Sequence, residues 1–185
     1  MSYYKAGKIM KDMLPILLFL AFFSIFSGYF LDSGKSMRVF ASLLIVVPPF
    51  INMGGDIASI VGARITSALH LGRIRSIRDG NIVYYNILSA IIISIVSFFI
   101  LGLFAEFLLI ILFNDGIGFV NFALITLLAG VSTTTILSFF VVIIAFLSYR
   151  YGIDPDDTSI PIITTLGDIV GVINLIMFTK LIIGG

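Results

Sequence analysis

The sequence predicts an all-α, polytopic membrane protein with five transmembrane helices. Of its 185 residues, 59% are hydrophobic and only 11% are charged, whereas soluble domains contain roughly 25% charged residues. The mean hydropathy is +1.18. The apolar residues form five runs of about 20 residues or more, the length that crosses a bilayer. Together these features exclude a soluble globular domain.

The five predicted spans are separated by short polar loops at residues 32–35, 73–81, 114–116 and 150–158. The first span is expected to be retained, because its apolar run is too long for a signal peptide and no convincing cleavage site follows it. The second is unusually long, and the third is able to continue to Phe113. The predicted spans are 11–31, 37–70, 82–104, 119–149 and 159–183. The chain 1–185 is thus expected to form a single transmembrane domain, with no soluble regulatory domain.

The distribution of Lys and Arg predicts the orientation of the chain. With the N-terminus inside, seven basic residues lie near cytoplasmic span ends and three near outer ends. The seven are Lys5, Lys8, Lys11, Arg73, Arg75, Arg78 and Arg150, and the three are Lys35, Arg38 and Lys180. Since basic residues are enriched on the cytoplasmic side, we expect a cytoplasmic N-terminus and an outside C-terminus at the cell membrane.

Two spans carry the same motif, in which a proline lies six residues before a Gly-Asp-Ile sequence. The second span reads PFINMGGDI over residues 49–57, and the fifth reads PIITTLGDI over residues 161–169. Because a buried charge is costly and Pro and Gly free backbone carbonyls, both motifs are expected to break their helices and line a polar cavity. The two spans run in opposite directions, and matched broken segments of this kind indicate a binding site near the midplane. We therefore predict that Asp56 and Asp168 form one site.

The two aspartates favour a site for a hard divalent cation. Such ions prefer oxygen ligands, and Mg²⁺ keeps several waters while using only one or two carboxylates. The neighbouring residues Asn52, Gly55, Thr164 and Thr165 supply further oxygen atoms and neither sulfur nor imidazole. This set suits Mg²⁺ better than Zn²⁺ or Cu²⁺. The alternative is a purely structural pair of carboxyl groups, protonated or hydrogen-bonded to a neighbouring helix.

Three further polar features have a structural and a functional interpretation. The Ser/Thr run 132–135 in the fourth span either bonds to its own helix and a neighbouring one, which is the commoner case, or lines a pore. Arg64, two turns beyond Asp56, either snorkels to the cytoplasmic face, which is the expected case, or pairs with an acid. Glu106, at the outer end of the third span, is expected to be interfacial, and the alternative is that it faces the outer vestibule.

The motif residues resemble those of a known family. They are Pro-x4-Gly-Gly-Asp at 49–56, Gly-Ala-Arg-Ile-x-Ser-Ala-Leu-His-x-Gly at 62–72, Asp-Pro at 154–155 and Pro-x2-Thr-Thr-x2-Asp at 161–168. These stretches resemble the MgtE-type and solute-carrier-family-41 magnesium transporters. Five spans match the membrane domain of that family, so the resemblance covers essentially the whole chain. The motifs are specific in combination, whereas either one alone is weak.

The resemblance implies an MgtE-like membrane domain that transports divalent cations, with Mg²⁺ as the transported ion and the ion path between the protomers of a homodimer. It implies that Asp168 binds the hydrated ion and that the second-span motif lines the path beside it. Asp56 stands where bacterial members usually have asparagine, which adds negative charge to the path. The cytoplasmic regulatory domains of bacterial members have no counterpart in this sequence. No chemical reaction is implied, so an enzyme is not expected.

An intramembrane aspartyl protease is the alternative from another class. It would use Asp56 and Asp168 as a pair that shares one proton and activates a water. That chemistry is associated with Gly-x-Gly-Asp and Tyr-Asp patterns, which neither motif provides, and five spans are few for it.

Composition excludes several other classes. Cysteine is absent, which excludes disulfides, thiolate metal sites and a cysteine nucleophile. The single histidine excludes a His-cluster metal site within one chain, and no basic tract indicates nucleic acid. The expected partners are a divalent metal ion, membrane lipid and a second copy of the chain.

Overall fold

Four long α-helices form the part of the chain that the structure, a computed structural model, describes. The described residues are Pro15, 37–75, 80–113 and 116–184. The helices are α1 (Met37–His70), α2 (Gly80–Phe113), α3 (Phe119–Arg150) and α4 (Pro155–Ile183). Each contains a stretch long and apolar enough to cross a bilayer. The described ranges are therefore all-helical, as the composition predicts.

The helix bounds agree closely with the second to fifth predicted spans. α1 has the predicted bounds, and α3 ends one residue later than predicted. α2 continues beyond the predicted 82–104 to Phe113, and α4 begins four residues early, at Pro155. The first predicted span, 11–31, lies outside the described residues apart from Pro15, so the total of five spans stays a prediction.

The prediction that the two motifs break their helices is wrong. α1 runs through Pro48 and Pro49, and α4 runs through Pro161. A proline removes one backbone hydrogen bond to the residue four positions earlier, but the bonds on either side continue the helix. The hydroxyls of Thr164 and Thr165 donate to the carbonyl of Pro161 at 3.0 and 3.1 Å, within the same helix. The prolines therefore interrupt hydrogen bonds without ending the helices.

α3 is the central helix of the bundle. It packs against α1, α2 and α4, whereas α2 and α4 do not touch each other within the described ranges. The ring of Phe98 on α2 is fully buried beside the Phe50 ring on α1, with 4.9 Å between their centroids. Gly130 on α3 lies directly against the Phe98 ring. The absence of a side chain at Gly130 is what lets this large ring fill the junction of three helices.

One end of the bundle brings the end of α1 next to the start of α4. The His70 Nε2 atom lies 3.8 Å from Oδ1 of Asp154. Asp154 also caps α4, because the same oxygen accepts a hydrogen bond from the Asp156 amide at 3.1 Å. Pro155 then occupies the first helical position, where its missing N–H costs nothing. The sequence Asp-Pro therefore fixes where α4 begins.

At the opposite end Glu106 holds the connection between α2 and α3. Its side chain is fully buried, and its Oε1 accepts a hydrogen bond from the Gly118 amide at 2.6 Å. Glu106 thus lies near the end of α2, inside the protein, and its interfacial depth in the membrane stays a prediction. The partner lies twelve residues away across a turn, where helical periodicity gives no signal.

Candidate cation-binding site

The two Pro/Gly-Asp motifs meet where α1 crosses α4. A Cβ atom at Gly167 would lie 3.3 Å from the Cα of Gly55, and one at Gly55 would lie 3.5 Å from the Cα of Thr164. One turn further along α4, a Cβ at Gly171 would lie 3.2 Å from the Ile51 side chain and 3.8 Å from its Cα. Rising numbers in α1 pair with falling numbers in α4, so the helices are antiparallel. Small residues permit this close approach of two backbones.

The crossing determines where the two aspartates lie. Asp56 directly follows Gly55, and Asp168 directly follows Gly167, so each aspartate is one residue from the contact. Asp56 is exposed and Asp168 is half-buried. Two residues that are 112 positions apart in the sequence are thereby brought to the same level of the bundle.

Asn52 and Thr164 are the predicted ligands that lie nearest to accessible surface. Each precedes an aspartate by four residues, Asn52 on α1 and Thr164 on α4, and therefore shares its helix face. Both are exposed. The Thr164 hydroxyl donates to the Ile160 carbonyl at 3.2 Å and to the Pro161 carbonyl. Its oxygen keeps lone pairs that accept hydrogen bonds from the water shell of an ion.

Gly55 and Thr165, the other two predicted ligands, are buried. Gly55 lies in the helix crossing, and the Thr165 hydroxyl is turned to the carbonyl of Pro161 in its own helix. The structure thus brings four of the six predicted residues to fully or partly accessible positions and places two inside the packing.

A buried hydrogen bond beside the crossing was missed by the sequence analysis. Asn174 of α4 donates from Nδ2 to Oγ1 of Thr133 on α3, at 2.9 Å. The Thr133 methyl group also lies 3.3 Å from where a Cβ at Gly54 of α1 would be. Thr133 therefore links α3 to both motif helices. An asparagine inside an apolar helix was the available signal, since such residues bond across helices.

The contacts of the Ser/Thr run 132–135 support its structural interpretation. Besides the interhelical bond of Thr133, the Thr135 hydroxyl donates to the Val131 carbonyl of its own helix at 2.7 Å. Thr133 and Thr135 thus show the two uses that Ser and Thr ordinarily have in membrane helices, whereas the buried Thr134 hydroxyl has no hydrogen-bond partner among the described residues.

Carboxylates are few in the described part of the chain. No group of three or more His, Cys, Asp or Glu residues lies close enough there to hold a metal ion. A pair of aspartates cannot replace the whole hydration shell of a divalent ion. It does match Mg²⁺, which binds proteins through one or two carboxylates while keeping several waters.

Comparisons with known proteins agree with the geometry. The sequence model of the MgtE family, described as "Divalent cation transporter", matches residues 47–178, a range that contains both motifs. The chain is also similar to mouse (Mus musculus) "Solute carrier family 41 member 3", with 25% identity over 178 residues. That alignment covers 89% of this chain and 36% of the mouse protein, so the chain spans about a third of the length of this relative.

These matches confirm the resemblance that the two motifs indicated, and neither supports the protease alternative. The family match extends over most of the chain and over parts of all four described helices. The chain therefore belongs to the MgtE family of divalent cation transporters.

Proposed function

We propose that this chain transports Mg²⁺ across the cell membrane as a homodimer, along a path lined by Asp56 and Asp168. The observation that carries the proposal is the contact between Gly55 and Gly167, which sets the two aspartate-bearing turns against each other. Membership of a transporter family supports the transport of a divalent cation. The proposed activity has no covalent step, so it is not enzymatic.

The ion would keep its water shell. Asp168 holds it through bound waters, and Asp56 supplies a second negative charge. Asn52 and Thr164 present oxygen atoms one turn away on the same helix faces, while Gly55 and Thr165 complete the polar surroundings. Because opposite charges attract more strongly where water is scarce, two carboxylates inside the membrane favour a doubly charged ion over a singly charged one.

A second copy of the chain would cover the exposed carboxylate. Asp56 and its neighbour Asn52 are exposed on a helix that is otherwise apolar enough to cross the bilayer. A carboxylate facing hydrocarbon is costly, and a two-fold partner at this face encloses it. The path then has four aspartates, two from each protomer. We also propose a cytoplasmic N-terminus and an outside C-terminus.

Mg²⁺ flux into liposomes tests this function. Purified protein is reconstituted into liposomes that contain a Mg²⁺-sensitive dye, and we expect saturable uptake above that of protein-free liposomes. The same preparation is also incubated with a model transmembrane peptide to test for cleavage. Separately, the mass of the purified protein is measured in mild detergent to test for the dimer. Absence of divalent cation flux together with cleavage of the peptide would favour the protease instead. A mass of one chain only would contradict the dimer.

A further inference from the structure

A groove between α1 and α2 opens at the end of the bundle where α1 ends. It has a volume of about 490 Å³, and its lining includes Ile60, Arg64, Leu71, Arg73, Ile82 and Asn86. A smaller cavity of about 40 Å³ shares Ile60, Arg64 and Asn86 with it and extends along the same two helices to Ile93. We call these two adjacent cavities the α1–α2 groove.

Two arginines lie at the wide end of the α1–α2 groove. Arg64 and Arg73 are both exposed, and neither forms an ion pair with another described residue. Ser67, also exposed, adds a hydroxyl donor between them. Two guanidinium groups that face one cavity without a described carboxylate partner constitute a site for an anion, and phosphate matches the planar donors of arginine especially well.

The rest of the α1–α2 groove is mainly apolar, with Asn86 and Ser89 as its polar side chains. Ile60 and Leu71 are 52% and 67% exposed, and Ile93 is 49% exposed. From Ile57 to Ala68 the groove follows α1 over about 11 residues, about 17 Å at the helical rise. One leaflet of a bilayer has a hydrocarbon thickness of about 15 Å. The groove is therefore long enough to hold an acyl chain alongside its leaflet.

The position of Arg64 requires an anion more strongly than a loop arginine does. It lies six residues before the end of α1, about 9 Å inside the helix end, within a stretch apolar enough to cross the membrane. A guanidinium at that depth is costly unless it reaches the interface or pairs with an anion. A lipid phosphate at the boundary of headgroup and hydrocarbon meets that need.

The α1–α2 groove is separate from the candidate cation-binding site. Arg64 follows Gly55 by nine residues, which at 3.6 residues per turn places it about half a turn around α1. Gly55 faces α4, so Arg64 faces away from that crossing. Neither part of the groove is lined by an aspartate.

We infer that the α1–α2 groove binds an acidic phospholipid, whose phosphate lies between Arg64 and Arg73 and whose acyl chain lies along Ile60, Ile82 and Ile93.

Charge complementarity favours an acidic phospholipid over two other possible occupants of the groove, which are segment 1–36 of the same chain and a second copy of the chain. Segment 1–36 of the same chain carries four lysines and two aspartates, so it complements arginines poorly. A second copy placed there by a two-fold axis would set the same arginines against each other.

Lipid titration of the purified protein in neutral detergent tests the inference. Phosphatidylglycerol, phosphatidylcholine and inorganic phosphate are the probes, and bound lipid is counted by native mass spectrometry alongside the melting temperature. We expect phosphatidylglycerol to bind and to raise the melting temperature, with little effect of the other two. Arg64→Gln combined with Arg73→Gln should weaken phosphatidylglycerol binding at least tenfold.

Matched variants separate charge from packing. Arg150→Gln removes an exposed arginine at the end of α3, outside the groove, and should bind phosphatidylglycerol like the wild type. Arg64→Lys keeps the charge and should retain most of the binding, which also shows that the site tolerates substitution without loss of the fold.

Four results would overturn the inference. The first is equal binding of both lipids, and the second is wild-type binding of phosphatidylglycerol by the double variant. The third is full competition by inorganic phosphate. The fourth is a double variant that no longer forms the dimer although its monomer binds phosphatidylglycerol normally. The third would indicate a soluble anion, and the fourth would indicate a second copy as the occupant.

Discussion

Gly55 of α1 and Gly167 of α4 lie in contact, and they occupy equivalent positions in two motifs that are 112 residues apart. A Cβ at Gly167 would lie 3.3 Å from the Cα of Gly55. Because the helices are antiparallel, the two motifs face each other with approximate two-fold symmetry, and an aspartate follows each glycine. The glycine contact is therefore the physical basis for treating two distant aspartates as one site.

A larger residue at Gly167 should push α1 and α4 apart. For Gly167→Val we expect a loss of about 1–3 kcal/mol in the free energy of unfolding, the usual cost of overpacking, because the neighbours are the Gly55 backbone and, at 3.4 Å, the Leu137 side chain. Gly55→Ala should lower the free energy of unfolding less, since its new methyl group would be 3.5 Å from the nearest atom. Denaturant unfolding in detergent measures both. Equal stability of Gly167→Val and the wild type would show that the crossing is looser than described.

The Asn174–Thr133 hydrogen bond should contribute measurably to stability. Thr133→Val keeps the side-chain shape and leaves the Asn174 amide without its partner. Interhelical hydrogen bonds in membrane proteins are worth about 0.6 kcal/mol on average and up to about 1.7 kcal/mol, so we expect a loss in that range. Thr135→Val is the control, because that hydroxyl bonds to its own helix. If both variants lose the same stability, the interhelical bond has no special role.

The buried carboxylate of Glu106 should hold the α2–α3 turn through the Gly118 amide. Glu106→Ala removes the acceptor and should cost about 1–3 kcal/mol, the penalty for leaving a buried partner unsatisfied. Glu106→Gln keeps a carbonyl oxygen at the same place and should cost less. Asn121→Ala, at an exposed position nearby, serves as the control for thermal unfolding. A glutamine variant that is as unstable as the alanine variant would refute the hydrogen-bond explanation.

The helices could be predicted from the sequence because each is an apolar run bounded by polar residues. The pairing of the two motifs was also accessible, since the repeated Pro/Gly-Asp pattern lies in two spans of opposite direction. The prediction that failed is that the prolines and glycines of the two motifs break their helices. Pro49 and Pro161 were expected to end helices, yet a lost hydrogen bond does not end a helix whose neighbouring bonds persist.

Contacts between distant residues were beyond the sequence. Thr133 lies in a polar run that periodicity cannot orient, and only the packing of α3 against α4 turns it toward Asn174. Glu106 lies near a span end, and nothing in the local pattern shows that the chain folds back at residues 116–118 and buries its side chain. In both cases the partner is set by tertiary structure rather than by local pattern.

The orientation of the chain gives a further prediction. The bias of basic residues favours a cytoplasmic N-terminus and an outside C-terminus. A reporter fused after Gly185 should therefore be active only outside the cell, and one inserted in the 150–158 loop only inside. The opposite pattern would invert the proposed orientation, although it would leave the contact between α1 and α4 unchanged.

Substituting each aspartate separates an ion ligand from a structural carboxyl group. Asp168→Asn keeps the size of the side chain and removes one charge per protomer, which weakens the attraction for a doubly charged ion in a low-dielectric setting. Asp56→Asn should reduce transport less, because the family resemblance places asparagine at this position in most bacterial members. If the carboxyls were protonated and structural, either amide would leave flux nearly intact, since the two groups have similar shapes.

The most direct test is Mg²⁺ uptake by liposomes that contain equal amounts of folded wild type, Asp168→Asn and Asp56→Asn, with elution volume in detergent as the check on folding. We expect Asp168→Asn to reduce uptake at least tenfold and Asp56→Asn to retain a substantial part of it. Wild-type uptake by Asp168→Asn would contradict the assignment of Asp168 as the residue that holds the ion.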